Sequence, residues 1–360
     1  MEQTIDGNLS EYRRYTKRKV VFVSACLLLA FLFLGLSISV GARDIGFLEV
    51  YRILFDHICG VQYEPGSVEA VSDYIVWNVR LPRTLFALVA GAGLAVSGAI
   101  MQNVMNNPLA DPYTTGISSG ACFGVAVAVI LGVSVSVTSQ LSNMGVIFNA
   151  FIFALFPMLL IMAVGSRRTS SPATLILAGT AISYIFNALT TVLMMTTNSE
   201  TLAEVYRWQV GSVSEITWSS LPLMASVNIA GMFIAMVLAN KLNVLALGDE
   251  SAKSLGLNVN NMRLVCMMVV SFMVASVISY AGIISFVGLI SAHIVRYVVH
   301  SDNRFVIPAS AAFGALLMIG ADIMARYLSP TDSIPIGVML SFIGAPIFLA
   351  LVIKQKRSMW

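Results

Sequence analysis

GAGLAVSGAIMQNVMNNPLADPYTTGISSGA, residues 91–121, is apolar enough to sit in lipid yet rich in glycine, serine and asparagine. Gly91, Ala95 and Ala99 recur every four residues, as do Ala90, Leu94 and Gly98, with Gly93 and Ser97 beside them. That spacing lays small side chains down one side of a helix, where a second helix can approach closely. The pattern stops at Asn106-Asn107-Pro108, because proline lacks an N–H and restricts the residue before it. Pro112 repeats the break, and a second small-residue-rich apolar run starts near Thr114. Irregular backbone at membrane depth is tolerated only where protein or a water-filled cavity satisfies its polar groups. Two readings are open: a tight helix-to-helix turn, or a turn that lines a transport path.

Working outward, 58% of the 360 residues are hydrophobic and only 11% are charged, against about 25% charged in soluble domains. Mean hydropathy is +0.85. The chain therefore reads as one membrane domain rather than two soluble ones. Cys26, Cys59, Cys122 and Cys266 lie far apart without ligand-type spacing, so neither a disulfide framework nor a metal site is expected.

Residues 1–19 form a polar segment ending in Arg13, Arg14, Lys17, Arg18 and Lys19. The apolar run 20–40 is long enough to span a bilayer and longer than a signal-peptide core, so it is expected to stay. Residues 41–80 are the longest polar loop, with a short amphipathic helix near 48–58. Further spans are expected at about 82–105, 114–135, 144–165, 173–195, 218–240, 264–281, 284–299, 306–326 and 334–353, so that 20–353 is a single domain of ten crossings. Between two of them lies 241–263, KLNVLALGDESAKSLGLNVNNMR, polar, helix-friendly and punctuated by Gly248 and Gly256. Residues 354–360 are a basic tail.

Ten crossings that start inside put both termini in the cytoplasm. Fifteen of the 21 basic residues then fall inside, including Arg167, Arg168, Lys241, Lys253, Arg263, Arg296 and Arg304, which satisfies the positive-inside rule. The six outside are Arg43, Arg52, Arg80, Arg83, Arg207 and Arg326. A net charge of +3 is too small to imply nucleic acid.

There is no G-x-x-x-x-G-K-[ST] phosphate loop, so the chain is not expected to bind ATP itself. Paired carboxylates and nucleophile–base spacings are missing too. His293, the one histidine inside an expected span, reads as hydrogen-bonded structure. Asp322 is an intramembrane acid, hence a functional candidate by default, but Arg326 lies four residues on and can pair with it.

Several motifs accompany 91–121 in order: Arg80-Leu-Pro-Arg83, Leu177-Ala-Gly-Thr-Ala-Ile-Ser183, Ala246-Leu-Gly-Asp-Glu-Ser-Ala-Lys-Ser-Leu-Gly256, Ala281-Gly-Ile-Ile-Ser-Phe-Val-Gly-Leu289, His293-Ile-Val-Arg296 and Ile343-Gly-Ala-Pro346. Over roughly residues 20–353 the combination resembles the permease subunits of ABC importers for iron–siderophore complexes, haem and vitamin B12. The resemblance implies an all-α type II importer permease fold with ten transmembrane helices in a prokaryotic plasma membrane. It also implies a homodimer around a central path, two separate ATPase subunits carrying ATP and magnesium, and an extracytoplasmic binding protein. No cofactor is implied on this chain. Where the family has Val/Ile-Pro before the histidine, this chain has Ser291-Ala292, and Ser333 replaces the acid before the last helix.

The resemblance also assigns roles. Asn107 and Leu109 would narrow the cytoplasmic end of the path. Gly248, Asp249, Glu250, Ala252, Leu255 and Gly256 would form the segment that docks on the ATPase, with Ala252 and Leu255 as its packing face. Arg80, Arg83 and Arg326 would dock the binding protein at the outer mouth. The implied cargo is a ferric siderophore, with vitamin B12 or haem as rivals. A rival from another class is a proton-coupled transporter using His293 or Asp322.

Overall fold

Lipid offers a bare amide no partner, so a chain this apolar must close its backbone hydrogen bonds within helices. The computed structural model describes residues 2–133, 142–165, 171–330 and 334–354, and among them there are helices and no strand. In chain order, α1 (Glu2–Ser39), α2 (Phe47–Ile58) and α3 (Val68–Tyr74) precede α4 (Leu81–Val104). Then come α5 (Ile117–Leu131), α6 (Ser142–Gly165), α7 (Pro172–Met194) and α8 (Ser199–Gln209). The chain continues through α9 (Leu221–Leu245), α10 (Asp249–Ser254) and α11 (Val259–Ala281), and finishes with α12 (Val287–Val299), α13 (Asn303–Leu328) and α14 (Ile336–Lys354).

All ten expected apolar helices are present. Seven are long and apolar enough to cross a membrane unaided, whereas α5, α12 and α14 are shorter. Of the inside arginines, Arg167 and Arg168 lie outside the described residues, as do Ser333 and the tail beyond Lys354. The loop expected at 41–80 is more ordered than its polarity suggests. The Ser67 hydroxyl caps α3 by accepting from the Ala70 amide, and a π-helical stretch, Ile75–Arg80, joins α3 to α4 without a break. Pro82 has no amide to donate at that joint. The wider turn, in which Leu81 N–H donates to the Val76 carbonyl, carries the helix past it.

The most buried crossing is the one containing α4. Of its most apolar window, 83% is buried, against 28% for α1, α7 and α9, so α4 is the axis and α7 lies at the rim. The small-residue stripe makes this possible. A Cβ on Gly91 would strike the Gly314 carbonyl of α13, and one on Gly98 would strike Gly288 of α12. The same device joins α5 to α6, where Gly120 and Gly124 face the carbonyls of Phe153 and Asn149.

The bundle has two chemically distinct ends. One holds the ends of α1 and α13, the starts of α3 and α4, and α8. The other holds the end of α4, α10, and the starts of α11 and α13.

Candidate functional site

The chain between α4 and α5 is a built turn. Asn106 takes a left-handed conformation, φ 44°, which asparagine tolerates better than most residues. The Asn107 amide donates to the Gln102 carbonyl at 3.0 Å, and its side-chain Oδ1 accepts from the Leu109 amide at 2.9 Å. The Asp111 carboxylate accepts from the Tyr113 amide and starts a 3-10 turn, Pro112–Thr115, that ends at left-handed Gly116. Met105 and Ala110 are buried and Leu109 is exposed. The two residues expected to narrow the path are thus brought together: Asn107 shapes the turn, and Leu109 is what the turn presents.

This turn packs against α7, since Gly179 leaves room for the backbone of Thr114 and Thr115. One stripe of α7 continues from there as Thr180, Tyr184, Asn187 and Thr191, at spacings of four, three and four, and all four are exposed. The neighbouring stripe, Leu177, Ala181, Ile185, Ala188 and Val192, is exposed and apolar. The two threonine hydroxyls fold back onto the helix carbonyls of Ile176 and Asn187. Even so, a stripe holding an exposed asparagine and tyrosine within a span is badly matched to hydrocarbon. It suits water or a second protein surface.

The three arginines expected to dock a receptor are all buried within the chain, Arg80 and Arg326 at 5% exposure and Arg83 at 8%. Arg80 donates to the Ile38, Ser39 and Arg43 carbonyls, and Arg326 to the Ser37 and Val40 carbonyls. They cap the last turn of α1, whose final carbonyls lack helical partners and carry the negative end of the dipole. Asp322 is fully buried and holds Arg83 through Oδ1 at 2.7 Å and Arg326 through Oδ2 at 2.6 Å. Both carboxylate oxygens of Asp322 are thus engaged by guanidinium groups. His293 is half-buried on α12.

At the other end, Gly248 and Gly256 bracket α10 with φ of 92° and 81°, a region that side-chain-bearing residues avoid, and open space surrounds both. Glu250 and Leu255 are exposed, as is Leu247 just before the helix. Ala252 was expected on the same outward face, and the structure corrects the reading. It is fully buried, because a six-residue helix lying on the bundle must turn one side inward.

Asp249 opens α10, and its carboxylate takes a two-pronged grip from Arg263 of α11, with Nη1 to Oδ2 at 2.8 Å and Nη2 to Oδ1 at 2.6 Å. The Arg263 hydrogen bonds hold the Asp249 carboxyl below its usual range. It is therefore ionised at neutral pH, and the pair's contribution is lost only as pH falls below about 3.9, the unperturbed value. Arg263 Nε donates to the Val104 carbonyl, the last of α4, at 3.0 Å. At 1% exposure Arg263 is among the largest fully buried side chains. Sequence reasoning counted it only as an inside charge. A basic residue fourteen positions beyond an acid, with a helix start between them, was the signal available.

Ten apolar helices around a glycine-lined axis, a built break in the backbone, a polar stripe at the rim and a short polar helix at one end define the class: a polytopic membrane permease subunit. The description "FecCD transport family" matches residues 27–354, and the chain belongs to that family. It is 36% identical over 349 residues to the iron(3+)-hydroxamate import permease FhuB of Bacillus subtilis, covering 96% of this chain and 86% of that one. Identity to the vitamin B12 import permease BtuC of Klebsiella pneumoniae is 35% over 311 residues, 86% of this chain and 92% of the relative. A solved metal-chelate type ABC transporter in an inward-facing conformation superposes with TM-score 0.79 at 28% identity, covering 92% of this chain and 99% of that one. The chain is an ABC importer permease.

Proposed function

We propose that two copies of this chain line a path through a prokaryotic plasma membrane and move an iron(III)–siderophore-type chelate inward. An extracytoplasmic binding protein delivers the cargo. Two separate ATPase subunits, which carry the ATP and magnesium, drive the step from the α10 end. Both termini are cytoplasmic in this reading. The observation that carries it is the polar stripe of α7. A homodimer that sets two such stripes face to face gives Thr180, Tyr184, Asn187 and Thr191 a wet path, and gives the apolar stripe a partner or lipid. Leu109 narrows the path where the stripe meets the broken turn. Glu250, Leu255 and Leu247 form the outward face that meets the ATPase, with Gly248 and Gly256 setting the turns. Charge agrees with this orientation, since Lys241, Lys253, Arg263, Arg296 and Arg304 gather at the α10 end.

The test is uptake. The chain is purified from its own membranes with whatever ATPase and receptor accompany it, placed in vesicles, and offered ferric hydroxamate, ferric citrate, haem and cobalamin. ATP-dependent entry of a ferric chelate is expected. Entry of haem or cobalamin instead would correct the cargo. Entry driven by a proton gradient without ATP would contradict the reading.

A further inference from the structure

The end of α4 is tied to α10 through a single side chain. Arg263 spends Nε on the Val104 carbonyl and both Nη atoms on Asp249. Val104 is the last residue of α4, and the turn that presents Leu109 begins at Met105. Asp249 is the first residue of α10. A guanidinium is planar and rigid, so a carboxylate held by two parallel bonds cannot shift without dragging the fork. Arg263 is also fully buried, so water does not replace its bond to the Val104 carbonyl, while the Asp249 side chain at the other end of the link is 32% exposed.

Resting on the importer reading above, we propose that Arg263 is a positioning residue that transmits movement of α10 to the broken turn, coupling the ATPase contact to the narrowing at Leu109. The link is short: one carboxylate, one guanidinium and one carbonyl separate the first residue of α10 from the last of α4. Other packing joins α10 to the bundle, with Ala252 buried beneath it, but that contact is apolar and can slide. The fork cannot. Lysine in its place keeps the charge and loses the plane, and its single ammonium cannot reproduce the fork together with the third bond.

The test uses the complex that co-purifies with its ATPase, in vesicles, carrying Arg263→Lys or Asp249→Asn. Cargo taken up and ATP hydrolysed are measured together. Separately, a cysteine at position 109, in a background with Cys59 replaced, reports how accessible the turn is with and without nucleotide. Arg263→Lys is expected to lower uptake per ATP about tenfold and to abolish the nucleotide-dependent change in accessibility at 109. Combining it with Asp249→Asn should cost no more than the worse single variant, because both break one link. Full coupling in Arg263→Lys overturns the proposal, and so does a double variant whose losses multiply. If Arg263→Lys does not assemble, Asp249→Asn alone decides, by keeping or losing the nucleotide response at 109. A wild-type complex without ATP-driven uptake would instead contradict the importer reading.

Discussion

Asp322 shows how a charged residue survives inside a membrane protein. One carboxylate sits between two guanidiniums, and with Arg80 nearby the positive charges outnumber it. The excess is absorbed by carbonyls at the end of α1. Removing the acid leaves two buried cations without their counter-charge. Asp322→Asn is therefore expected to destabilise the fold by about 3–5 kcal/mol, the usual cost of breaking a buried pair from one side. Thermal unfolding in nanodiscs would show it. The double variant Arg80→Glu/Arg83→Glu should lose folded protein outright, measured as monodisperse yield, whereas well-folded protein that has lost only receptor affinity would restore the docking role. Half of this cluster was legible in the sequence. Asp322 and Arg326 stand one helical turn apart, but Arg83 is 239 residues from the acid it pairs with, and no local spacing announces that. A guanidinium seeking carbonyls looks the same on paper as one seeking a receptor.

Among the elements, α4 was the most legible because its small residues repeat at helical spacing, and a repeat of that kind has one physical use. Gly98→Val puts a Cβ, with two methyl groups beyond it, where the α12 backbone stands. A backbone cannot move aside as a side chain can, so a loss at or above the usual 1–3 kcal/mol of overpacking is expected, again as a lowered unfolding temperature. Residues 68–80 were not legible, since Val68–Tyr74 carries the polarity of a loop and its helicity comes from continuity with α4. In α10 the glycines were readable as turns, yet which side faced inward depended on the bundle beneath. Leu255→Glu should consequently reduce assembly with the ATPase while leaving the permease folded. Ala252→Glu should damage the fold itself. Co-purification of the ATPase, read beside the permease yield, separates the two. On α7, a cysteine at Asn187 should react with a membrane-impermeant thiol reagent and one at Ile185 should not. Equal reactivity would deny the stripe its wet face.

At the scale of the whole molecule, the pieces line up along one direction. The arginine cluster clamps one end, α4 runs from it through the core, and Arg263 ties the far end of α4 to α10. The broken turn that follows α4 packs against α7, so a movement at α10 has a route through Arg263 to Leu109 and a polar stripe leading away from it. In the proposed homodimer a second copy would put two Leu109 side chains opposite each other. The most direct measurement is disulfide formation between two copies carrying Leu109→Cys with Cys59 replaced, in the assembled complex, across nucleotide-free, ATP-bound and ADP-bound conditions. The account predicts rapid cross-linking between copies in at least one of these conditions and its loss in another, as the path closes and opens. No cross-link in any condition, in a complex that still imports, would contradict a path that closes at this turn between two copies of the chain.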